Sequence, residues 1–464
     1  MLDVACGEGA FLLAAREVLG PHAAQLYGVD LDGDAIATAR RALGGSAELV
    51  VGDGLDLAAR FPGIAFDAVI GNPPWGAHLS PGERTRYRAR FAEVHTRTPD
   101  SFNYFLAAAH AALAPGGRLG MVVPSNFLFQ HEYARARRHF AERSSLELAV
   151  NLGDGVFSAN VPSCVVVIAR EPSAAATQVI DLRRVARREL PAALASSVAQ
   201  PLARDELLAA PSCAPFMDPI GGRLVQRLMR EHAPLGDWCD QVAAGIGTGG
   251  DRIFRIPDAH ALELGIEPEL LHPALIGREL HPPCVPRATG HSIVYATRHI
   301  DRASHPRALA YLAPFERRLS QKRETRLGKT PWWNLHWPRS PALFAAPKIV
   351  LRQTASSLIA AVDDVGYFCL NSVIVVRPRA GVSLVALVAL LNSKLLRWVY
   401  GMVTQEQARA FAEVKPVNLR KLPIIQMNLE LEQLAKESPE AFDEGVFRLY
   451  GLTASERQRV LNAT

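Results

Sequence analysis

One stretch of this sequence can do chemistry on a flat, nitrogen-bearing ring. Phe66-Asp-Ala-Val-Ile-Gly-Asn72-Pro73-Pro74-Trp75 sets a carboxamide and two prolines at the end of a short apolar run. Proline fixes φ and has no N–H. The Asn72 carboxamide and the Pro73 carbonyl are therefore rigid and short of internal partners. Two oxygens so held can accept both hydrogens of one planar amino group. That draws the nitrogen lone pair out of conjugation and aims it at an electrophilic carbon. Trp75 then offers an aromatic face to a flat base. A proline turn over a core tryptophan is the plainer alternative, and the residues upstream weigh against it.

Those residues form a series. Asp3-Val-Ala-Cys-Gly-Glu-Gly9 falls where a first strand turns into a first helix. Gly7 and Gly9 allow a tight turn and close approach of a ligand. Asp30 ends a second apolar run, where a carboxylate can take both hydroxyls of a ribose. Asp53 follows a third, placed to meet an adenine amino group. The dinucleotide pattern Gly-x-Gly-x-x-Gly is absent, because Ala-Phe-Leu-Leu follows Gly9. Glu8 would also repel a phosphate. A nucleoside without phosphates, such as S-adenosylmethionine, fits better.

The elements that must position these residues alternate in type. Strands are predicted at 2–5, 26–29, 49–51, 68–70, 119–123, 146–150 and 163–169. Helices are predicted at 10–19, 34–42, 102–113 and 131–142. Such alternation predicts an α/β doubly wound parallel sheet, whose ligands lie at the carboxyl ends of the strands. Residues 171–215 are Ala-, Ser- and Pro-rich and read as a connecting segment. From 216 to 427 the regular alternation is lost, with short strands at 348–352 and 372–376 and a helix over 384–400. Residues 428–464 read as a helical tail, of two short helices.

Composition excludes several classes. With 49% hydrophobic and 21% charged residues, the chain is globular and not disordered. It opens without a secretory signal, and no apolar run is long enough to span a bilayer. Six cysteines without a Cys-x-x-Cys pair point to no metal site and no disulfide framework, which fits a reduced cytoplasm. The net charge is +5, yet Arg278–Arg352 holds 14 Arg and Lys against 4 Asp and Glu. Such a block suggests a polyanion partner, with Arg317, Arg318, Lys322, Arg323 and Arg326 as candidate phosphate contacts. A solvated arginine-rich surface is the alternative. Trp332, Trp333 and Trp337 lie in the same block, and two of the three are expected to pack inward. Pro283-Cys284 has no partner motif for a thiolate mechanism, and no Pro-Asp…Glu-x-Lys nuclease pattern stands out.

Asp3–Leu12, Asp30, Asp53 and Asn72–Trp75 resemble the motifs of the gamma-class amino-methyltransferases of the Eco57I and TaqI type. The order is similar too, cofactor loop first and target recognition last. The resemblance implies a Rossmann-like S-adenosylmethionine-dependent methyltransferase domain over 1–170. It implies a mixed α+β DNA target-recognition domain over 216–427. Asn72, Pro73, Trp75 and Phe157, in Asp154-Gly-Val-Phe157, would be the catalytic set. Trp75 and Phe157 would sandwich an adenine flipped out of duplex DNA. Asp3, Cys6, Gly7, Gly9, Asp30, Asp53 and Asn72 would hold the cofactor, although Cys6 also reads as a small buried filler. Val242–Gly249, Pro347–Arg352, Tyr367–Ser372 and Leu390–Trp398 resemble parts of the family's specificity domain. The implied activity is site-specific methylation of adenine in DNA by a monomer, in a restriction-modification or related defence system, beside a separate restriction endonuclease. Alternatives are an rRNA or protein-glutamine methyltransferase using the same site, or a DNA-binding specificity protein without activity. The resemblance also implies a segment ahead of the glycine loop that covers the methionine end of the cofactor. This sequence begins two residues before Asp3, so that wall is expected to be truncated or supplied by another chain.

Overall fold

Nine short strands join one sheet in the computed structural model, which describes the chain apart from residues 21–24, 78, 158–160, 356, 405–412 and 464. They are β1 (Leu2–Asp3), β2 (Leu26–Asp30), β3 (Ala47–Val51), β4 (Phe66–Gly71), β5 (Leu113–Pro124), β6 (Ser145–Gly153), β7 (Ser163–Ala169), β8 (Thr177–Asp181) and β9 (Gln200–Leu202). Their order is β3-β2-β1-β4-β5-β7-β6-β8-β9. Strands β3 to β5 are parallel, and β7 runs antiparallel between β5 and β6. The sheet is the expected α/β, Rossmann-like arrangement. The chain winds outward from β1 to β3, then crosses back to β4. That reversal opens a crevice at the carboxyl ends of β1 and β4, where such sheets bind ligands.

Helices seal the faces by ordinary local rules. Helix α1 (Ala10–Leu19) starts at Gly9, whose φ of 88° a side chain would resist. Helix α2 (Gly33–Leu43) is capped by Asp32, which accepts from the Asp34 and Ala35 amides at 2.9 and 3.2 Å. Its buried residues, Ile36, Ala39 and Leu43, recur at helical spacing and pack with Leu12, Leu26 and Leu49. A second cluster, including Leu2, Val69, Phe66, Phe102, Leu119 and Val166, fills the centre of the unit.

Four elements differ from the sequence reading, the C-terminal tail described below among them. Residues 114–118, which the sequence leaves between a helix ending at 113 and a strand starting at 119, are not a loop. β5 already begins at Leu113, and its pairing with β4 shifts register between Phe66 and Ala68. Gly116 is left-handed there, and a Cβ on Gly117 would meet the Phe66 carbonyl at 2.9 Å. Residues 171–215, read as a connection, contribute β8 and β9 to the sheet. The helix expected over 384–400 is two helices, Leu384–Asn392 and Lys394–Thr404, bent by 60°. Ser393 makes the break: its hydroxyl accepts from the Leu396 amide, while Asp443 takes the Lys394 amide at 2.8 Å.

The described residues gather into two units, Met1–Gln226 and Arg227–Thr464. The second has two four-stranded sheets. One orders Cys239–Ala244, Val373–Pro378, Lys348–Arg352 and Ala360–Asp363; the other Arg255–Pro257, His291–Val294, Leu271–Leu275 and Phe368–Cys369. Its tail forms three helices, Leu429–Leu434, Pro439–Leu449 and Ala454–Ala463, where two were expected. Among the described residues no single helix is long and apolar enough to cross a membrane.

Close backbone approach fixes the ligand edge. A Cβ on Gly54 would lie 2.0 Å from the Val4 carbonyl and 3.0 Å from the Phe105 ring. Gly54→Ala must therefore push the turn after β3 away from the glycine loop. The expected loss is about 3 kcal/mol of stability, in line with overpacking against an unyielding neighbour. Thermal denaturation would show it, and a parental melting temperature would count against this contact.

Candidate active site

The glycine loop is tied to β2. The Cys6 amide donates to the Val29 carbonyl at 3.0 Å, and the Gly7 amide to Asp30 Oδ2 at 2.7 Å. Asp30 Oδ1 also accepts from the Asp32 amide at 3.0 Å. The carboxylate that was expected to take ribose hydroxyls therefore also holds the loop in place. Its remaining lone pairs are still available, since a carboxylate has about four acceptor sites. Gly7 is left-handed, with open space where a Cβ would stand. Cys6 separates from this group. Its side chain lies in the apolar cluster with Leu12 and Leu49, and burial pushes its thiol up to about 12.

Asp53 stands two residues beyond β3. Oδ1 accepts from the Leu55 amide at 2.9 Å, and Oδ2 from the Tyr87 hydroxyl at 3.3 Å. Arg86 lies 3.8 Å from the same oxygen and donates to the Tyr87 hydroxyl at 2.8 Å. Sequence reasoning passed over Tyr87. A Ser80–Glu83 capping box, legible in Ser80-Pro-Gly-Glu83, starts the helix that delivers it.

Asp3 ends β1 between β2 and β4 and is 1% exposed. Oδ1 accepts from the Ala5 amide at 3.1 Å, whereas Oδ2 is buried with no protein partner. Burial pushes this carboxyl up to about 7; the Ala5 amide pulls down and the Asp30 charge pushes up further. A Cβ on Gly71, the residue before Asn72, would come 2.9 Å from Asp3 Oδ1. The ends of β1 and β4 are thus in contact.

Asn72 follows β4 directly. Its Oδ1 is buried and has no protein partner. Pro73 is buried and Pro74 exposed. The turn is clamped by the start of the helix Ser101–Ala111. The Ser101 hydroxyl donates to the Pro74 carbonyl, and Asp100 accepts from the Gly76 amide at 2.9 Å. Asp100 is that helix's N-cap residue, yet its side chain caps nothing and reaches the Asn-Pro-Pro-Trp turn instead. Asp100-Ser101 before an apolar run was a visible helix start; its grip on the turn was not.

Trp75 and Phe157 are both half-buried and touch each other, with ring centroids 5.6 Å apart and planes at 84°. The two rings expected to sandwich a base are thus brought together. Two rings stacked on a base lie about 7 Å apart, two van der Waals contacts of about 3.5 Å. Here the rings meet edge to face, and a base between them requires them to part. The basic residues lie in the second unit. Arg317, Arg318, Arg323 and Arg326 are exposed. Lys322 is not a free cation: its ammonium donates to the carbonyls of Trp332, at 2.9 Å, and Asn334, and burial lowers it to about 8.

Comparison with known proteins gives three matches to family models. Residues 2–72 match a methyltransferase domain, 53–157 the Eco57I restriction-modification methylase, and 309–424 the TaqI-like C-terminal specificity domain. The chain thus resembles the Eco57I-type restriction-modification methylases in its first unit and a TaqI-like specificity domain in its second. It is 25% identical to the Type II methyltransferase M.PaeR7I of Pseudomonas aeruginosa, over 84% of its own length and 71% of the relative's. It is 24% identical to the Type II methyltransferase M.BanIII of Aneurinibacillus aneurinilyticus, over 75% and 70%. Among solved structures, the Type IIL restriction-modification enzyme MmeI in complex with DNA superposes with a TM-score of 0.67 at 12% identity, covering 99% of this chain and 73% of that one. The DrdV–DNA complex gives 0.57 at 12%, covering 94% and 53%. At such identities the structures share the fold.

S-adenosylmethionine is the cofactor of this methylase domain. The residues present fit it. A nucleoside with a cationic methionine end brings donors and positive charge, which suits the buried, unpartnered Asp3 Oδ2 and the acidic edge at Asp30 and Asp53. A carboxyl held at about 7 when folded, against 3.8 when unfolded, binds more protons in the folded state between those values. Stability should therefore fall as pH rises from about 4 through 7. At about 1.4 kcal/mol per unit, the full effect is a few kcal/mol. Asp3→Asn should melt higher than the parent at pH 8, with the gap closing near pH 4, and should bind S-adenosylmethionine more weakly. A constant gap across that range would show that Asp3 does not titrate as described.

Proposed function

We propose that this chain is a site-specific DNA methyltransferase that methylates the exocyclic amino group of adenine in duplex DNA. The observation that carries the reading is the Asn72 carboxamide oxygen, buried and without a protein partner at the end of β4. It lies beside the cofactor edge and is followed by two prolines and a half-buried tryptophan. An orphaned buried acceptor costs about 1–3 kcal/mol, a penalty that an amino group in the site would relieve. The TaqI-like specificity domain supports DNA over RNA or protein as substrate. The Type II methyltransferase relatives support a modification role beside a separate restriction endonuclease.

When bound, S-adenosylmethionine supplies a methyl group on a sulfonium. The chain's own residues do the rest. The adenine must leave the stack, because its amino group is unreachable inside the duplex. Asn72 Oδ1 and the Pro73 carbonyl accept the two amino hydrogens and orient the lone pair. Asn72 and Pro73 would hold the nitrogen toward the methyl group that S-adenosylmethionine would supply, and the proton lost by that nitrogen would leave to solvent. No covalent enzyme intermediate is involved, so positioning carries the rate. Trp75 supplies a stacking face, and Phe157 holds the edge of that ring. In the second unit, the exposed Arg317, Arg318, Arg323 and Arg326 are proposed phosphate contacts; Lys322, engaged internally, is left out.

Sequencing of modified bases in DNA from cells that express the chain tests this reading. Methyl marks on adenine within one short sequence are expected, and marks on another base or none would reject it. Asn72→Ala should lower turnover at least about 100-fold, as loss of one preorganised polar group does, with little change in duplex affinity. Trp75→Ala should also reduce turnover more than affinity, because stacking is worth about 1–3 kcal/mol per base while phosphate contacts dominate binding. Radiolabelled methyl transfer and fluorescence anisotropy separate the two. Near-parental turnover in Asn72→Ala would remove that residue from the chemistry.

A further inference from the structure

The second unit contains a pocket of about 470 Å³ whose lining includes Arg298, His299, His336 and Arg339 and no acidic residue. Thr330 and Asn334 complete the wall, the first paired with the Thr325 hydroxyl and the second donating to the Leu335 carbonyl. Arg298, His299 and Arg339 are exposed. His336 is engaged by Glu324 at 2.8 Å, which leaves two guanidiniums as the pocket's free cations, and these suit an oxyanion with several acceptor oxygens, a phosphodiester above all.

Arg339 is held for this purpose. Its φ is 59°, one of only three left-handed residues other than glycine among the described residues. Strained backbone of this kind persists where the surroundings enforce it, and it concentrates at functional sites. Two contacts enforce it here. The Tyr295 hydroxyl donates to the Arg339 carbonyl, and Arg339 Nε donates to the Gly245 carbonyl at 3.3 Å. The latter bond uses one face of the guanidinium and leaves its terminal amino groups for a ligand.

Trp337, two residues before Arg339, supplies an independent observation. It is the one exposed tryptophan of the six, at 50%. Its backbone is fixed by a two-way pairing with Gly247, at 2.7 and 3.2 Å. A Cβ on Gly247 would meet the indole at 3.2 Å, so the glycine lets the ring lie on the loop. The ring lies 5.2 Å from that of His336, a pocket wall. A large aromatic that is both anchored and exposed, next to a cationic pocket, is what a nucleotide chain requires.

We propose that the pocket takes one backbone phosphate of the DNA on Arg298 and Arg339, with Trp337 against the adjoining sugar or base. The proposal rests on the DNA reading above and adds a phosphate contact to those proposed on the short helices of the basic block. It is tested on the full chain with a fluorescein-labelled duplex of about 30 base pairs, by anisotropy at several salt concentrations. Arg339→Gly removes the guanidinium and suits the left-handed backbone, so the melting temperature should hold or rise. Affinity should nevertheless fall about tenfold, and the slope of log affinity against log salt should shrink by about one. Arg298→Gln, at an exposed position, should do the same. Trp337→Ala should lower affinity about tenfold with the salt slope unchanged, because stacking releases no counterions. If the parent binds duplex and the three variants match it in affinity and slope, this proposal falls alone. If the parent binds no duplex at any salt concentration, the DNA reading falls with it.

Discussion

Two buried acceptor oxygens without protein donors, Asp3 Oδ2 and Asn72 Oδ1, set the terms for the N-terminal unit. Each is unfavourable by itself, since a buried acceptor has given up water and gained nothing. They persist because β1 and β4 are neighbours in a sheet whose other pairings are satisfied. Gly71 and Gly54 let the strand ends approach so closely that no side chain fits between them. The sheet order then does what chemistry needs. The reversal after β3 places the cofactor acids on one side of the crevice and the Asn-Pro-Pro-Trp turn on the other. Stability given up at the edge is supplied by the apolar clusters on the faces.

The supports of the site come from elements that carry no motif. Asp100 and Ser101 grip the turn around Trp75, and Tyr87 with Arg86 holds Asp53. Both pairs sit on helices that follow the Asn-Pro-Pro-Trp turn in the chain. Trp75 and Phe157 occupy each other in the meantime, edge to face, and keep the apolar surface covered.

Charge in the second unit is less available than its count suggests. Lys348 pairs with Asp363, both fully buried, and donates to the Phe344 carbonyl at 2.7 Å. Asp363 in turn accepts from the amides of Val365, Gly366 and Tyr367. Arg352 donates to the carbonyls of Gly277 and Leu280, and Lys322 to those of Trp332 and Asn334. A buried cation must find oxygens, so these three knit the sheets and loops together. The cations at the surface include the arginines around the pocket and on the short helices nearby.

The sequence by itself determined the parallel part of the sheet and the positions of Asp3, Asp30, Asp53 and Asn72 at its edge. Apolar strands, glycine turns and terminal acids are local signals, and each is complete within a few residues. Two of the three tryptophans in the basic block were expected to pack inward; which two was decided by the fold, Trp332 and Trp333 packing and Trp337 staying exposed. Only the tertiary structure decided the rest. Residues 114–118 joined β5 with a shift in register because the Phe66 carbonyl approaches Gly117 from another strand. Residues 171–215 gained strands because β6 offered an unpaired edge. Lys322 turned inward because two carbonyls 10 and 12 residues ahead lay within its reach. Asp100 left its own helix for the Gly76 amide, 24 residues back in the chain. In each case the deciding partner is distant in sequence, and spacing along one chain cannot name a partner that only folding brings near.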